Sequence, residues 1–318
     1  MDNIDKLIYE TNKNFGRDVL GYAAKMRIGI ERISTGSVYL DWALSGGLPL
    51  GRIVEIYGPF ASGKTCIALK TIAEAQKRGL TCLFIDSELS FSKILAEKSG
   101  VDLNKLLFLQ TSSGEKIFEF IRTTMRSIPK GVVVIDSVAA MVAQYEENND
   151  IEKQTMGLTA RLMSKGLRII NNSNDQWLVI FINQIREKIG VVYGSPEYRP
   201  GGRAIDFFSS ALINLRIGEK YEDDKKRIGH EIKFRVEKSK IGIPFRSGSI
   251  KYFYETGFDE IDDVLSLALE IGIAQQAGAW YTILGERFQG KQGIEEKCKS
   301  DKTFFEKLKK ELYAKMAG

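Results

Sequence analysis

Between residues 52 and 183 the chain alternates short apolar runs with longer stretches of helical spacing. The runs RIVEIY, TCLFID, KLLFLQ, GVVVID and WLVIFIN carry almost no polar alternation. Between them lie KTCIALKTIAEAQKR, FSKILAEK, EKIFEFIRTTMRS and LTARLMSKGLRIINN, whose apolar residues recur at helical intervals. Strands without polar alternation, separated by helices, predict a mainly parallel sheet covered on both faces, the pattern of an α/β core. After Arg203 the texture changes to alternating strands, ALINLRI, HEIKFRVEKSK and SIKYFYE, which read as a hairpin-like extension of the same sheet. Ahead of the core, IDKLIYETNKNFG predicts an amphipathic helix from about Ile4 to near Gly16, followed by a polar link to about Ile33. These shifts divide the chain into an arm (1–32), a core (33–257) and a small C-terminal domain (258–318) containing AGAWYTILGERFQG.

Composition changes this picture little. With 43% hydrophobic residues in 318 there is material for one large core and an appended domain, and no apolar run approaches the ~18 to 20 residues of a bilayer span. The net charge of +5 permits a polyanionic partner without demanding one. Cys66, Cys82 and Cys298 lack metal-ligand or disulfide-framework spacing, and the start MDNIDKLIYE has no export signal, so a cytoplasmic setting is expected. His230 reads as local polarity where a turn enters a strand, and Trp42, Trp177 and Trp280 read as packing residues.

The chemistry is concentrated at the ends of the apolar strands. GPFASGKT, comprising Gly58, Pro59, Phe60, Ala61, Ser62, Gly63, Lys64 and Thr65, fits G-x-x-x-x-G-K-[ST] between a strand and a helix, with Cys66 following. Backbone N–H groups of such a loop face phosphates, Lys64 neutralises the β and γ oxygens of ATP, and Thr65 offers a hydroxyl to Mg²⁺. Asp136 ends GVVVID, where a carboxylate can hold Mg²⁺ through water. Glu88, just past TCLFID, is the expected catalytic base; a surface acid is the alternative reading. RVEKSKIGIPF places Lys238 and Lys240 two apart on a strand, on one side and about 7 Å from each other. That spacing fits a lysine-protected edge as readily as a waiting anion.

Taken together, ERISTGSVYLDWALSGGLPLGRIVEIYGPFASGKT, FIDSE, VVVIDSVAA, MGLTARLMS, FINQIREKIGVVYG, PGGRAIDFF, KSKIGIPF and AGAWY resemble the bacterial RecA recombinases from about residue 4 onward. The resemblance implies a RecA-like P-loop ATPase core, an N-terminal polymerisation helix and a small α+β C-terminal DNA-binding domain. It implies an ATP-dependent helical filament on single-stranded DNA that pairs with homologous duplex DNA and exchanges strands. Accessory loaders and single-strand-binding proteins are possible further partners, and no membrane is implied. Residues 143–157 and 186–202 resemble the family's two DNA-binding loops. From the first and its following helix, Met156, Gly157, Arg161, Ser164 and Arg168 match DNA-contacting positions; from the second, Lys188, Ile189, Gly201 and Gly202 match, with Arg203 where a neutral amide is usual. By the same resemblance Gln184 senses the γ-phosphate, and Lys238 and Lys240 reach the nucleotide held on the adjacent subunit. A ring-shaped motor and a non-hydrolysing single-strand coat share parts of this pattern and remain open at this point.

Several departures stand out. Ser92 and Leu95 replace the family's acidic and aromatic adenine contacts, so a looser adenine preference is expected. Asp206 and Leu212 replace an interface lysine and arginine. Residues 287–318 hold nine Lys/Arg against five Asp/Glu where the family carries an acidic tail, which predicts ready capture of duplex DNA at low Mg²⁺.

Overall fold

A computed structural model describes residues 2–16, 19–24, 29–143, 157–187 and 197–317. Two compact units result, residues 1–31 and 32–318. The first contains α1 (Asn3–Phe15), closed at Gly16, whose N–H donates to Asn12 O. None of its residues is buried, and Ile4, Leu7 and Phe15 are half or more exposed. An amphipathic helix with an uncovered apolar stripe has burial still to gain.

The second unit is built on a nine-stranded sheet. Its strands are β1 (Ile53–Gly58), β2 (Thr81–Asp86), β3 (Leu106–Gln110), β4 (Gly131–Asp136), β5 (Trp177–Gln184), β6 (Ala211–Asp223), β7 (Lys226–Ser239), β8 (Ser247–Phe253) and β9 (Gly257–Phe258), in the order β9-β8-β7-β6-β1-β5-β4-β2-β3. The six strands from β6 to β3 are parallel, and β7, β8 and β9 extend the sheet antiparallel. The helices are α2 (Val38–Ala43), α3 (Lys64–Lys77), α4 (Lys93–Lys98), α5 (Gly114–Ser127), α6 (Leu158–Ser173) and α7 (Arg203–Phe208).

The uninterrupted apolar runs are explained by two cores, one on each face. Val132 and Val134 join the core that contains α3 residues Ile67, Leu69 and Ile72. Val133 and Ile135, pointing the other way, join Ile117, Ile121, Met163 and Leu167 from α5 and α6. Trp177 lies in this second core and donates its indole N–H to Ile128 O at 2.8 Å. Trp280 departs from the expectation of packing: it is 39% exposed, with the Arg287 guanidinium 4.6 Å above its ring.

The C-terminal segment adds α8 (Glu260–Glu270), a three-stranded antiparallel sheet of β10 (Ala274–Ala277), β11 (Trp280–Ile283) and β12 (Glu286–Gln289), then α9 (Gly290–Ser300) and α10 (Lys302–Ala317). Val264, Ile294, Leu308 and Leu312 from these helices belong to the same continuous core as α3.

One buried charge network ties β1 to the chain after residue 197. Glu55 is fully buried and accepts from Asn183 Nδ2 at 2.8 Å and from Arg199, whose other guanidinium nitrogen holds Asp206. Burial pushes the Glu55 carboxyl up to about 7 despite the opposing charge of Arg199. Removing one partner of a buried pair typically costs about 3–5 kcal/mol. Arg199→Ala is therefore expected to lose about that much at pH 8. Without the guanidinium, Glu55 titrates higher still in the folded state, so the native chain regains a proton and the deficit narrows toward pH 6. Urea unfolding at the two pH values checks this. A deficit independent of pH would assign the loss to the stacking of Arg199 on Tyr57, 4.2 Å away, instead.

Candidate nucleotide and DNA site

β1 ends at Gly58 and α3 starts at Lys64, so the phosphate-loop residues lie between a central strand and a helix N-terminus. Gly63 immediately precedes the helix with φ +90°, a left-handed conformation. A Cβ there would stand 2.4 Å from Ile232 Cδ1, so glycine lets β7 pass close beneath the loop. Lys64 is buried and its ammonium donates to Gly58 O at 3.2 Å and Pro59 O at 2.7 Å. Burial lowers its pKa, opposed by the charges of Asp136 and Glu88. Those two carbonyls occupy donors that phosphate oxygens would otherwise take. Phe60 and Ala61 form the rim, with Phe60 83% exposed, while Ser62 is buried and donates its hydroxyl to Pro59 O at 2.9 Å.

Thr65 Oγ1 donates to Asp136 Oδ2 at 2.7 Å. Burial pushes the Asp136 carboxyl up to about 6, against the Thr65 hydrogen bond. A hydroxyl and a carboxylate in contact at a helix N-terminus fit Mg²⁺, which is commonly held by one or two protein oxygens plus substrate phosphates.

Parallel pairing brings the remaining acids to the same edge. Asp86 pairs with Asp136, and Gly58 pairs with Gln184. The two acids of FIDSE then separate in role. Asp86 accepts from Ser90 N, Phe91 N and Gln110 Nε2, each at 3.1 Å, and so holds the following loop in shape. Glu88 Oε1 instead faces the cavity, where it accepts from Ser137 Oγ and from Gln184 Nε2 at 2.7 Å. Gln184 ends β5, and the same chain continues through residues 186–202.

These residues line a cavity of about 450 Å³, which continues past Cys66 to Phe84, Phe91, Ser92 and Leu95 and to His230, Tyr252 and Tyr254. Ser92 Oγ accepts from Leu95 N and caps α4, which fixes the oxygen and leaves its O–H able to donate. The aromatic wall was not anticipated. In SIKYFYE the alternation puts Tyr252 and Tyr254 on one face, but only the pairing of β8 with β7 shows which cavity that face lines. The expectation for His230 needs correction: it sits inside β7, 4% exposed, and not at the turn, which falls at Asp224 and Lys225.

Lys238 and Lys240 are not brought to this cavity. β7 runs antiparallel to β6, and β6 parallel to β1, so the end of β7 lies at the sheet edge away from the phosphate loop. Eight residues of strand separate His230 from Lys238, about 26 Å. Both lysines turn to the same side, as expected, and donate to the backbone carbonyls of Asp206 and Phe207. Burial and the charge of Lys240 lower the pKa of Lys238. Asp206 has become an internal partner of Arg199, and Leu212 is buried.

Of the DNA-contact candidates, Met156, Lys188 and Ile189 lie outside the described residues. Arg161, Ser164 and Arg168 form one exposed stripe on α6, while Met163, Leu167 and Ile170 are buried behind it. Lys165 belongs to the same stripe and was missed, although the helical spacing alone could have found it. Gly157, with φ +89°, precedes α6. Gly201 and Gly202 turn against the start of that helix; added Cβ atoms would stand 3.0 Å from Val138 Cγ1 and 3.2 Å from Ala160 Cβ. Arg203, exposed, opens α7. The ends of the two loop stretches therefore meet.

Comparison with known proteins agrees with this geometry. The family model described as the RecA N-terminal domain matches residues 2–259. Protein RecA of Chloroherpeton thalassium is 39% identical over 328 aligned residues, covering 100% of this chain and 90% of the relative. The protein of that name from Mesoplasma florum is 40% identical over 305, covering 94% and 92%. The one from Bacillus licheniformis is 37% identical over 314, covering 97% and 90%.

Proposed function

The chain belongs to the RecA family, and from that premise we propose that it is a DNA-dependent ATPase which polymerises on single-stranded DNA, pairs it with homologous duplex and exchanges strands. The observation that carries the coupling of ATP to DNA is the contact of Gln184 with Glu88. The Gln184 amide has two N–H donors, one of them held by Glu88, and a γ-phosphate oxygen beside Lys64 draws the amide toward itself through either. Because Gln184 begins the chain that becomes the second loop, a change of acceptor at its side chain shifts the origin of that loop.

In hydrolysis, Lys64 exchanges its two loop carbonyls for phosphate oxygens and neutralises charge there. Thr65 and Asp136 would hold Mg²⁺, which would supply neutralisation of charge at the phosphates. Glu88 orients and deprotonates the attacking water, and Ser137 keeps its carboxylate pointed inward. Lys238 and Lys240 act on the nucleotide of a neighbouring subunit, which accords with their distance from their own cavity. The uncovered stripe of α1 is the natural docking element for a head-to-tail contact that does not close, and such a contact yields a helical filament.

On the DNA side, the stripe of Arg161, Lys165 and Arg168 together with the glycine turn holds the phosphate backbone. Arg168→Ala is expected to lower the slope of log affinity against log salt for single strands by about 0.7, one phosphate contact, with basal ATP hydrolysis retained. An unchanged slope would remove Arg168 from the interface. The reading as a whole is tested by ATP turnover with and without single strands and by strand exchange between a circular single strand and linear duplex. DNA-stimulated turnover with exchange is expected; turnover indifferent to DNA with no exchange overturns it.

A further inference from the structure

His230 lies on the cavity wall, and the hydrolytic machinery does not use its chemistry. It is 4% exposed, lines the nucleotide cavity, and neither of its ring nitrogens has a hydrogen-bond partner among the described residues. Buried polar atoms in native proteins are nearly always paired, so two unpaired nitrogens in a side chain that lines a cavity point to a ligand.

Its place along β7 says which part of the ligand. Ile232 lies directly beneath Gly63 of the phosphate loop. His230, two residues away, projects to the same side about 7 Å further out. The cavity that begins at the loop reaches His230, which leaves room there for the sugar and base of a triphosphate seated on the loop. The imidazole is also held in orientation. Tyr252 is its register partner on β8, with ring centroids 5.6 Å apart and nearly perpendicular, and Tyr254 lies 5.9 Å away.

We infer that His230 reads the nucleobase, donating its ring N–H to N7 of a purine, so that adenine and guanine nucleotides are both accepted and pyrimidines are not. The inference rests on the reading of the cavity as a nucleoside-triphosphate site. Neutral imidazole carries one donor, and among the base-edge acceptors remote from the sugar N7 is the one that both purines present. Burial and the charge of Arg227 favour the neutral ring. Ser92 Oγ accepts from Leu95 N, and its remaining O–H and lone pair can turn to serve either the O6 of guanine or the N6 amine of adenine, so this hydroxyl does not separate the two purines.

The test is calorimetric titration of the full chain with ATP, GTP, CTP, 7-deaza-ATP and inorganic tripolyphosphate. ATP and GTP should bind comparably, and CTP and 7-deaza-ATP about tenfold more weakly, the value of one hydrogen bond. In His230→Phe the gap between ATP and 7-deaza-ATP should close while tripolyphosphate binds as before; His230→Gln, which keeps a donor, should preserve part of the gap. Should the phenylalanine variant also lose tripolyphosphate through misfolding, the glutamine variant carries the comparison. Equal binding of ATP and 7-deaza-ATP by the unaltered chain, or a gap that survives His230→Phe, overturns the inference. Failure of every phosphate ligand on the unaltered chain would instead overturn the nucleotide-site reading beneath it.

Discussion

Glu88→Gln is expected to slow DNA-stimulated ATP hydrolysis by about two to four orders of magnitude while nucleotide binding persists, the range over which a positioned general base contributes. The substitution is nearly isosteric and retains an oxygen that can accept from both Ser137 Oγ and Gln184 Nε2, so the contacts that shape this edge of the cavity survive. What it removes is the ability to take a proton from water. Asp86→Asn, two residues earlier, should behave differently. Its carboxylate accepts two backbone N–H groups and Gln110, so its loss loosens the loop and weakens binding together with turnover. Single-turnover hydrolysis measured beside nucleotide affinity separates the two. If Glu88→Gln hydrolyses at the unaltered rate, Glu88 is only a hydrogen-bond anchor for Gln184, and another group activates the water.

The contrast between these two acids also marks how far the residues alone could be read. Parallel strands buried on both faces leave a direct trace, because each must be apolar at every position. That is why GVVVID and WLVIFIN announced the central sheet, and why the acid at the end of the first could be placed at its C-terminal edge. The phosphate loop was legible for a related reason: its chemistry is local, within eight consecutive residues. Features that depend on which strand lies beside which were not. His230 and Tyr252 are far apart in sequence and become a wall only through the antiparallel pairing of β7 with β8. The Glu55–Arg199–Asp206 network spans more than 140 residues and joins a core strand to a polar stretch without periodicity. Asp206 looked from sequence like a rewired subunit contact, whereas its carboxylate is satisfied inside its own chain.

Lys238→Ala is expected to lower DNA-stimulated turnover about a thousandfold, the lower end of the effect of a cation supplied in trans to a transferring phosphoryl group. In its own chain this lysine donates to Asp206 O, beside the end of α7, and Lys240 donates to Phe207 O at 2.8 Å. Cations at a helix C-terminus satisfy its free carbonyls, so a purely architectural role would also make the alanine variant inactive. Mixing variants distinguishes the two. In a filament assembled from equal parts of Lys238→Ala and Glu88→Gln chains, an interface is productive when an intact Glu88 faces an intact lysine on the neighbour. Random order makes about one interface in four productive. Two inactive proteins should thus recover about a quarter of the unaltered turnover when mixed, and none when kept apart. A chain whose lysine only props up α7 stays inactive whatever its neighbour carries, so absence of recovery would return Lys238 to an architectural role. Recovery would establish that the ammonium group of Lys238, about 26 Å along β7 from the wall of its own cavity, works on the phosphate of the next subunit.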